Sequence, residues 1–507
     1  MNQLKIPAAL MRGGTSKGLF FRADTLPADP AMANRILLRA IGSPDPYGKQ
    51  IDGVGGGTSS TSKVVLVSVS SRDDADVDYL FGHVSIEDGL IDFSGNCGNL
   101  TAAVGPFAIE EKLVTAEEGI TTIRIWQANI NKLIVAYVPV KYGQPVVEQD
   151  FQFDGVAFPG ADIKLEFLDP AGGSVGKLFP TGNKTDTLEL AGIGKIKVTL
   201  IDAGNPTVFV KAKDLGLTGL ENQVEVNHQV ALLSKLETIR AHAAVAMGLA
   251  ATVEDATTNR PATPKISFLA KPADFVSSSG KAVSKADYDL SARIVSMGKL
   301  HHAYTGTGAI ALTVAAYIPG TVVSQTIGKA LDASRTLRFG QPSGVTEMAA
   351  DVQGKGTEWT VSKVVMHRSA RRLMEGSVLI PMPPELAPAP PQAPASSEPN
   401  VWVDSKPDKL GKAKDKIKDK TRTKGKTKKA AKVMPEPSVH TTPPTLGAGS
   451  VVVTSEVITT PVATSSSVVG QTQGNATAAE FVDGEGKPAK SRRRRRRKPK
   501  VKAGEEA

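Results

Sequence analysis

The feature that most restricts how this chain can fold is a pair of helices with no polar side. Residues 99–110 carry Leu100, Ala102, Ala103, Val104, Phe107, Ala108 and Ile109 around nearly the whole helical circumference. A helix without a polar face cannot rest on a surface and has to be enclosed by other structure. A second stretch, Thr305-Gly306-Thr307-Gly308-Ala309-Ile310-Ala311-Leu312, repeats the arrangement of Cys97-Gly98-Asn99-Leu100, a glycine turn opening into an apolar helix. Both helices have to be enclosed, and 507 residues are enough for two or three domains with sizeable cores.

The head of the first helix also carries chemistry. Cys97 is the only cysteine, and it stands where the first N–H groups of a helix have no intrahelical partner, a position that binds anions and favours thiolate. Upstream, the glycine-rich run 53–57 and the hydroxyl run 58–62 end at Lys63, where a strand begins. Small residues let a ligand approach the backbone there, and little bulk separates the ammonium from it. A lysine and a cysteine together supply two proton-transfer groups, which chemistry at an acidic C–H requires. Taken alone, the same residues also fit a small buried hydrophobe and an ordinary glycine turn.

The remaining chain is rich in short strands. Residues 5–11, 19–21, 64–69, 79–86, 90–93, 121–126, 133–140 and 163–167 read as strands, and 30–41 as a helix with Met32, Ile36, Leu37 and Ala40 on one side. A second set begins near residue 188: strands at 196–201, 207–210 and 264–268, with a long amphipathic helix at 229–247. Turns are expected at 43–48, 180–183 and 202–206. In the first turn after the N-terminal strand, Arg12 with the hydroxyls of Thr15 and Ser16 suits a carboxylate, which guanidinium can chelate in bidentate fashion. A structural turn with a surface arginine fits the same residues.

Charge divides the chain in two. The net charge is +10, but residues 385–507 hold 24 Lys and Arg against 13 Asp and Glu, so the part before them is close to neutral. A single cysteine rules out an internal disulfide and a cysteine-based metal site of the usual spacing. No charged leader with an apolar run opens the chain, and nowhere do 18 apolar residues follow one another, so a soluble cytoplasmic protein without a membrane span is expected.

Six words of the sequence resemble one known family: Met11-Arg12-Gly13-Gly14-Thr15-Ser16-Lys17-Gly18, Ile41-Gly42-Ser43-Pro44-Asp45-Pro46-Tyr47, Ser94-Gly95-Asn96-Cys97-Gly98-Asn99, Arg124-Ile125-Trp126-Gln127-Ala128-Asn129, Pro180-Thr181-Gly182-Asn183 and Ser296-Met297-Gly298-Lys299-Leu300-His301-His302. They are similar to those of the 2-methylaconitate cis/trans isomerases, accessory enzymes of the methylcitrate pathway of propionate catabolism within the diaminopimelate-epimerase-like superfamily. The resemblance covers about residues 5–382. It implies an α+β fold of two pseudo-symmetric halves, each a curved, mostly antiparallel sheet around a central helix, facing each other across a cleft. The expected domains are 1–187 with a closing strand at about 360–382, then 188–359.

The resemblance further implies Lys63 as principal acid/base and Cys97 as a second proton donor or acceptor. Arg12, Thr15, Ser16, Ser62, Asn96, Gly98, Asn99, Lys265, Ser296, His301, Thr305 and Gly306 are the implied substrate-binding positions. His301 and His302 each fit either a cleft residue or one satisfied by backbone, and the arginines of 368–372 read as structural or solvated. Racemases of the superfamily carry a cysteine at each helix head. Thr305 occupies the second head here, and its hydroxyl does not ionise in the range of ordinary side chains, which argues against a two-thiol racemase. No metal or other cofactor is implied. The implied partners are a small tricarboxylate, a methylcitrate dehydratase of the aconitase type and a second copy of the chain.

Residues 383–507 are expected to be a disordered tail, with Pro/Ala-rich, lysine-rich and Ser/Thr/Val-rich stretches and the arginine run 492–497. It fits a solubilising tether, or nonspecific contact with a polyanion through counterion release. Three functions therefore compete: a 2-methylaconitate isomerase, an oxalomesaconate tautomerase or aconitate isomerase on the same framework, and a polyanion-binding protein with a vestigial core.

Overall fold

The computed structural model describes residues 3–386 except 357, and these belong to one compact unit. The expected tail from residue 387 onward lies outside the described residues. The first sheet is built from β1 (Gln3–Gly13), β2 (Ser16–Arg22), β3 (Lys63–Val69), β4 (Val77–Val84), β5 (Gly119–Gln127), β6 (Lys132–Lys141) and β7 (Ile163–Leu168). From β1 to β6 each strand pairs with the next, in the senses antiparallel, parallel, antiparallel, parallel, antiparallel.

The second sheet repeats that pattern. Its strands are β8 (Asp186–Leu190), β9 (Gly194–Ala203), β10 (Asn205–Lys211), β11 (Lys265–Ala270), β12 (Leu290–Ser296), β13 (Leu337–Gln341) and β14 (Gly344–Lys355). From β9 to β14 the senses are again antiparallel, parallel, antiparallel, parallel, antiparallel. By topology, then, β3 corresponds to β11 and β4 to β12. The chain returns to the first sheet through β15 (Glu358–Arg368), beside β7, and β16 (Ala370–Pro381), beside β1.

Two details differ from the sequence reading. Strand β8 straddles the expected 187/188 boundary and pairs with the second sheet, and β14 pairs with β13 at its start and β15 at its end, so it belongs to both sheets. Residues 202–206, expected as a turn, are drawn into the β9–β10 hairpin with Gly204 at its tip at φ +68°.

Of the helices, α1 (Pro30–Ile41) starts at the Asp29 cap with Pro30 in its first position and stops at Gly42 in the left-handed region. It buries the apolar face read from the sequence. Helices α2 (Gly98–Glu110) and α4 (Gly306–Tyr317) are the two enclosed ones, and α3 (Val230–Ala246) lies between them in sequence. Every α2 residue from Gly98 to Ile109 and every residue of α4 is buried. Each large side chain among them, such as Phe107 or Leu312, contributes about 1.5–3 kcal/mol by leaving water. Helix α2 packs on β1, β2, β6 and β16, and α4 on β9, β10 and β14. The two helices meet head to head. A Cβ on Gly306 would lie 2.7 Å from both the Asn99 nitrogen and the Gly98 carbonyl carbon, so this contact requires glycine. Two positive helix ends therefore converge on one point.

Candidate active site

Lys63 is the first residue of β3 and lies opposite His83 of β4. Its side chain is buried, and Nζ donates to Ser16 Oγ at 3.2 Å and to Cys97 Sγ at 3.6 Å. Lys63 Nζ also lies 5.8 Å from the centroid of the Phe81 ring. Cys97 caps α2, its sulfur accepting the Leu100 N–H at 3.5 Å. The glycine-rich loop before Lys63 runs against the end of α1: a Cβ on Gly53 would meet the Ile41 carbonyl and the Gly42 nitrogen. That contact holds the chain where β3 must start.

The second lobe presents the topological counterparts. Lys265 is the first residue of β11, and Thr305 caps α4, its Oγ1 accepting the Gly308 N–H at 3.3 Å. Lys265 Nζ donates to the Ala262 carbonyl at 3.0 Å and to Ser296 Oγ at 3.2 Å. Burial, followed by repulsion from Lys63, lowers the Lys265 pKa to about 8. His83 donates its Nε2–H to the Ser59 carbonyl at 2.9 Å, and burial with the two lysines holds its pKa well below 6.5.

Lys63, Cys97, Asn96, Lys265, His83 and His301 line one small chamber, and no Asp or Glu is among its lining residues. Two buried lysines with no directly paired carboxylate among the described residues, only Asp92 acting on Lys265 from farther off, are costly unless a ligand supplies more negative charge. The chamber is almost filled by its own side chains, with a cavity of about 10 Å³. That is no more than one water needs.

Of the positions singled out in the sequence, Asn99, Ser296, Thr305 and Gly306 also line the chamber. Gly98 supports it from behind by packing on Gly306. Ser16 sits at its margin through the bond to Lys63. Arg12, Thr15 and Ser16 line a separate, wider groove of about 830 Å³. Arg12 is already committed there, donating to the Ser369 and Gly14 carbonyls at 2.8 and 3.2 Å and to Ser369 Oγ at 3.1 Å. Burial and the nearby Arg371 lower its pKa to about 10. Thr15 Oγ1 accepts from Asn99 Nδ2 at 3.0 Å. Ser62 turns away, donating to Gln50 Oε1 at 2.7 Å and to the Thr58 carbonyl at 2.8 Å, so it holds the loop and does not face the chamber.

Sequence reading missed Phe81, His83, Ser59 and Thr307, which line the chamber too. Phe81 and His83 lie two apart on β4, and that period was the available signal, but it does not say which face looks into a cleft. The expectation for Arg368 is a structural or solvated side chain. It is buried, donates from Nε to Asn99 Oδ1 at 3.1 Å, and lies 5.4 Å from the Phe153 ring centroid. Among the described residues no three His, Cys, Asp or Glu side chains converge as a metal site would need. Among them too, no helix is long and apolar enough to cross a membrane.

The family model described as "PrpF protein" matches residues 3–381. The chain belongs to this family. Among its PrpF-family relatives, the 2-methyl-aconitate isomerase of Shewanella oneidensis is 52% identical over 393 residues, covering 75% of this chain and 98% of its own length. The 2-methyl-aconitate isomerase of Cupriavidus necator is 51% identical over 390 residues, with the same two coverages of 75% and 98%. The crystal structure of a methylitaconate-delta-isomerase superposes with a TM-score of 0.60 at 41% identity, covering 75% of this chain and 97% of that one. The fold is the α+β one, with two similarly ordered sheets and two enclosed helices, that the sequence words imply.

Proposed function

We propose that this PrpF-family chain isomerises 2-methylaconitate by removing and returning an allylic proton, with Lys63 as principal acid/base and Cys97 as the second proton-transfer group. The observation that carries the reading is the 3.6 Å approach of Lys63 Nζ to Cys97 Sγ inside a chamber lined by a second lysine and capped by two helix heads. The substrate is a tricarboxylate whose double bond is conjugated to a carboxylate and flanked by a CH2. Acting as the base, the Lys63 amine takes a proton from that CH2, becoming ammonium, and the electron pair spreads over the former double bond and the carboxylate. Bond order between the two carbons falls, so rotation or migration of the double bond becomes easy. Return of the proton gives the isomer and restores the amine. Lys265 and the helix heads are placed to hold the carboxylates, the kind of preorganised electrostatics that supplies much of an enzyme's rate.

The same reading takes the tricarboxylate as the small-molecule partner and the cytoplasm as the compartment. A methylcitrate dehydratase of the aconitase type and a second copy of the chain belong to it through the family resemblance. It also keeps two lobes as the working units, 1–187 with 360–382 and 188–359, with the boundary strand β8 moved to the second. The test offers purified protein 2-methyl-cis-aconitate, cis-aconitate and oxalomesaconate in parallel and resolves the isomers by chromatography. Turnover fastest with 2-methylaconitate is the expected result. Faster turnover of oxalomesaconate or cis-aconitate would reassign the substrate, and no turnover of any would remove the reading.

A further inference from the structure

His301 lies in the wall of the chamber, 1% exposed, in the loop that leads to the head of α4. Its two nitrogens are in different situations. Nδ1 accepts the Ala303 N–H at 3.1 Å, so in the neutral ring the proton sits on Nε2. Nε2 is buried, and no protein group among the described residues accepts from it. The neighbours that act on this imidazole are His302, stacked on it at 4.8 Å between centroids, and Lys63, Lys265 and His83. Burial first, and then these four bases or cations, discourage a second proton, so the pKa of His301 lies well below 6.5. The ring is thus a neutral donor with a fixed tautomer.

Asn96 is in a similar condition on the opposite lobe. Its backbone N–H is taken by Asn205 Oδ1 at 3.2 Å, but neither the oxygen nor the nitrogen of its buried side-chain amide has a protein partner among the described residues. Native proteins rarely leave buried donors unused, and these two line the same chamber as Lys63.

We infer that His301 is a catalytic residue, its Nε2–H donating, together with the Asn96 side-chain amide, to the carboxylate oxygen on which the charge of the deprotonated substrate gathers. This rests on the proposed carbon-acid chemistry of the chamber and assigns a further part of it. When Lys63 removes the allylic proton, that oxygen gains negative charge and becomes a stronger acceptor. A fixed neutral donor then binds the transition state better than the substrate, while transferring no proton of its own. The Lys265 cation, in contrast, holds a carboxylate in both states.

The test compares His301→Phe, which keeps a ring to stack on His302 but removes the donor, with His301→Gln, which keeps an N–H donor. For His301→Phe the expected result is a fall in kcat of about 100-fold, with KM and the Kd of tricarballylate, a saturated tricarboxylate, changed by less than about threefold. His301→Gln should regain about tenfold of the lost kcat. A kcat near wild type in His301→Phe, or a loss confined to KM and Kd, overturns the assignment. A measurement on wild type stands independently of how the variants fold. In 15N-histidine-labelled protein, His301 should remain the Nε2–H tautomer from about pH 5 to about pH 9, and that proton should shift downfield when trans-aconitate binds. An imidazolium or an Nδ1–H form in that range, or no shift at saturation, overturns it too. Failure of wild type to isomerise any tricarboxylate would remove the functional reading instead, and the labelled spectrum would still decide whether His301 donates to a bound carboxylate.

Discussion

Replacing Gly306 by alanine tests whether the abutting helix heads are a structural convenience or part of the site. The added methyl would lie 2.7 Å from two backbone atoms of α2, whereas ordinary contact begins near 3.4 Å. The φ of Gly306 is not in the left-handed region, so the whole effect is steric. Backbone atoms cannot swing aside as a flexible side chain does, and the heads have to move apart by several tenths of an ångström. Overpacking of that kind costs about 1–3 kcal/mol. The catalytic consequence should be larger in proportion, because Cys97 and Thr305 are the caps of the two helices and move with them. Misplacement of about 1 Å can cost about 100-fold in rate, so a shift of this size should lower kcat by about 10-fold or more. Gly98→Ala, whose methyl would meet the Gly306 carbonyl carbon at 3.0 Å, should show the same effects more weakly. Urea unfolding midpoints and steady-state kinetics on 2-methylaconitate read the two quantities separately. Wild-type stability and wild-type kcat in Gly306→Ala would refute the close approach and the argument built on it.

Lys63→Met should keep the fold by circular dichroism and lower kcat by about 10³-fold or more, within the range removed with a general acid/base; near-normal turnover would take Lys63 out of the mechanism. Cys97→Ser should remain folded and lose at least about tenfold, since a hydroxyl scarcely ionises, and alkylation of the native thiol should be slowed by saturating tricarboxylate. Lys265 should behave oppositely for stability and function. Its pKa falls from 10.5 in the unfolded chain to about 8 in the fold, so stability is lost as pH drops from above 10 toward 8 and the penalty is complete below 8. Lys265→Met should therefore be more stable than wild type at pH 7, by about 1–3 kcal/mol after allowing for the hydrogen bonds lost at Ala262 and Ser296, yet bind tricarboxylates more weakly. An unchanged or lower urea midpoint would contradict that. Truncation after Leu386 removes all the net positive charge while keeping the exposed Arg35–Glu385 ion pair, so turnover should persist and retention on heparin should vanish. Salt-dependent retention of the shortened protein would place the basic surface in the folded lobes.

Much of the architecture was determined by the sequence alone. An all-apolar helix has to be enclosed whatever surrounds it, and a glycine turn before each of two such helices announces two equivalent heads. The strand segments followed from short apolar runs between turns, because side-chain alternation and turn chemistry act over a few residues. The charged tail separated itself by composition, and six short words carried the family. What tertiary structure decided is the membership of the site. Lys63 meets Cys97 across 34 positions and Ser16 across 47, and only the register of β2 beside β3 and the capping of α2 bring them within reach. The equivalence of Lys63 and Lys265 is likewise a property of strand order. Ser62, implied by the resemblance, and Arg12, whose guanidinium suits a carboxylate, donate to the protein acceptors Gln50 and Ser369, pairings that only the packed fold creates. His83 and Phe81 gave no sign of a role, since which face of β4 borders the chamber depends on the opposite lobe. Local sequence sets backbone preference through neighbours close along the chain, whereas a site is an agreement among residues that only the packed fold makes neighbours.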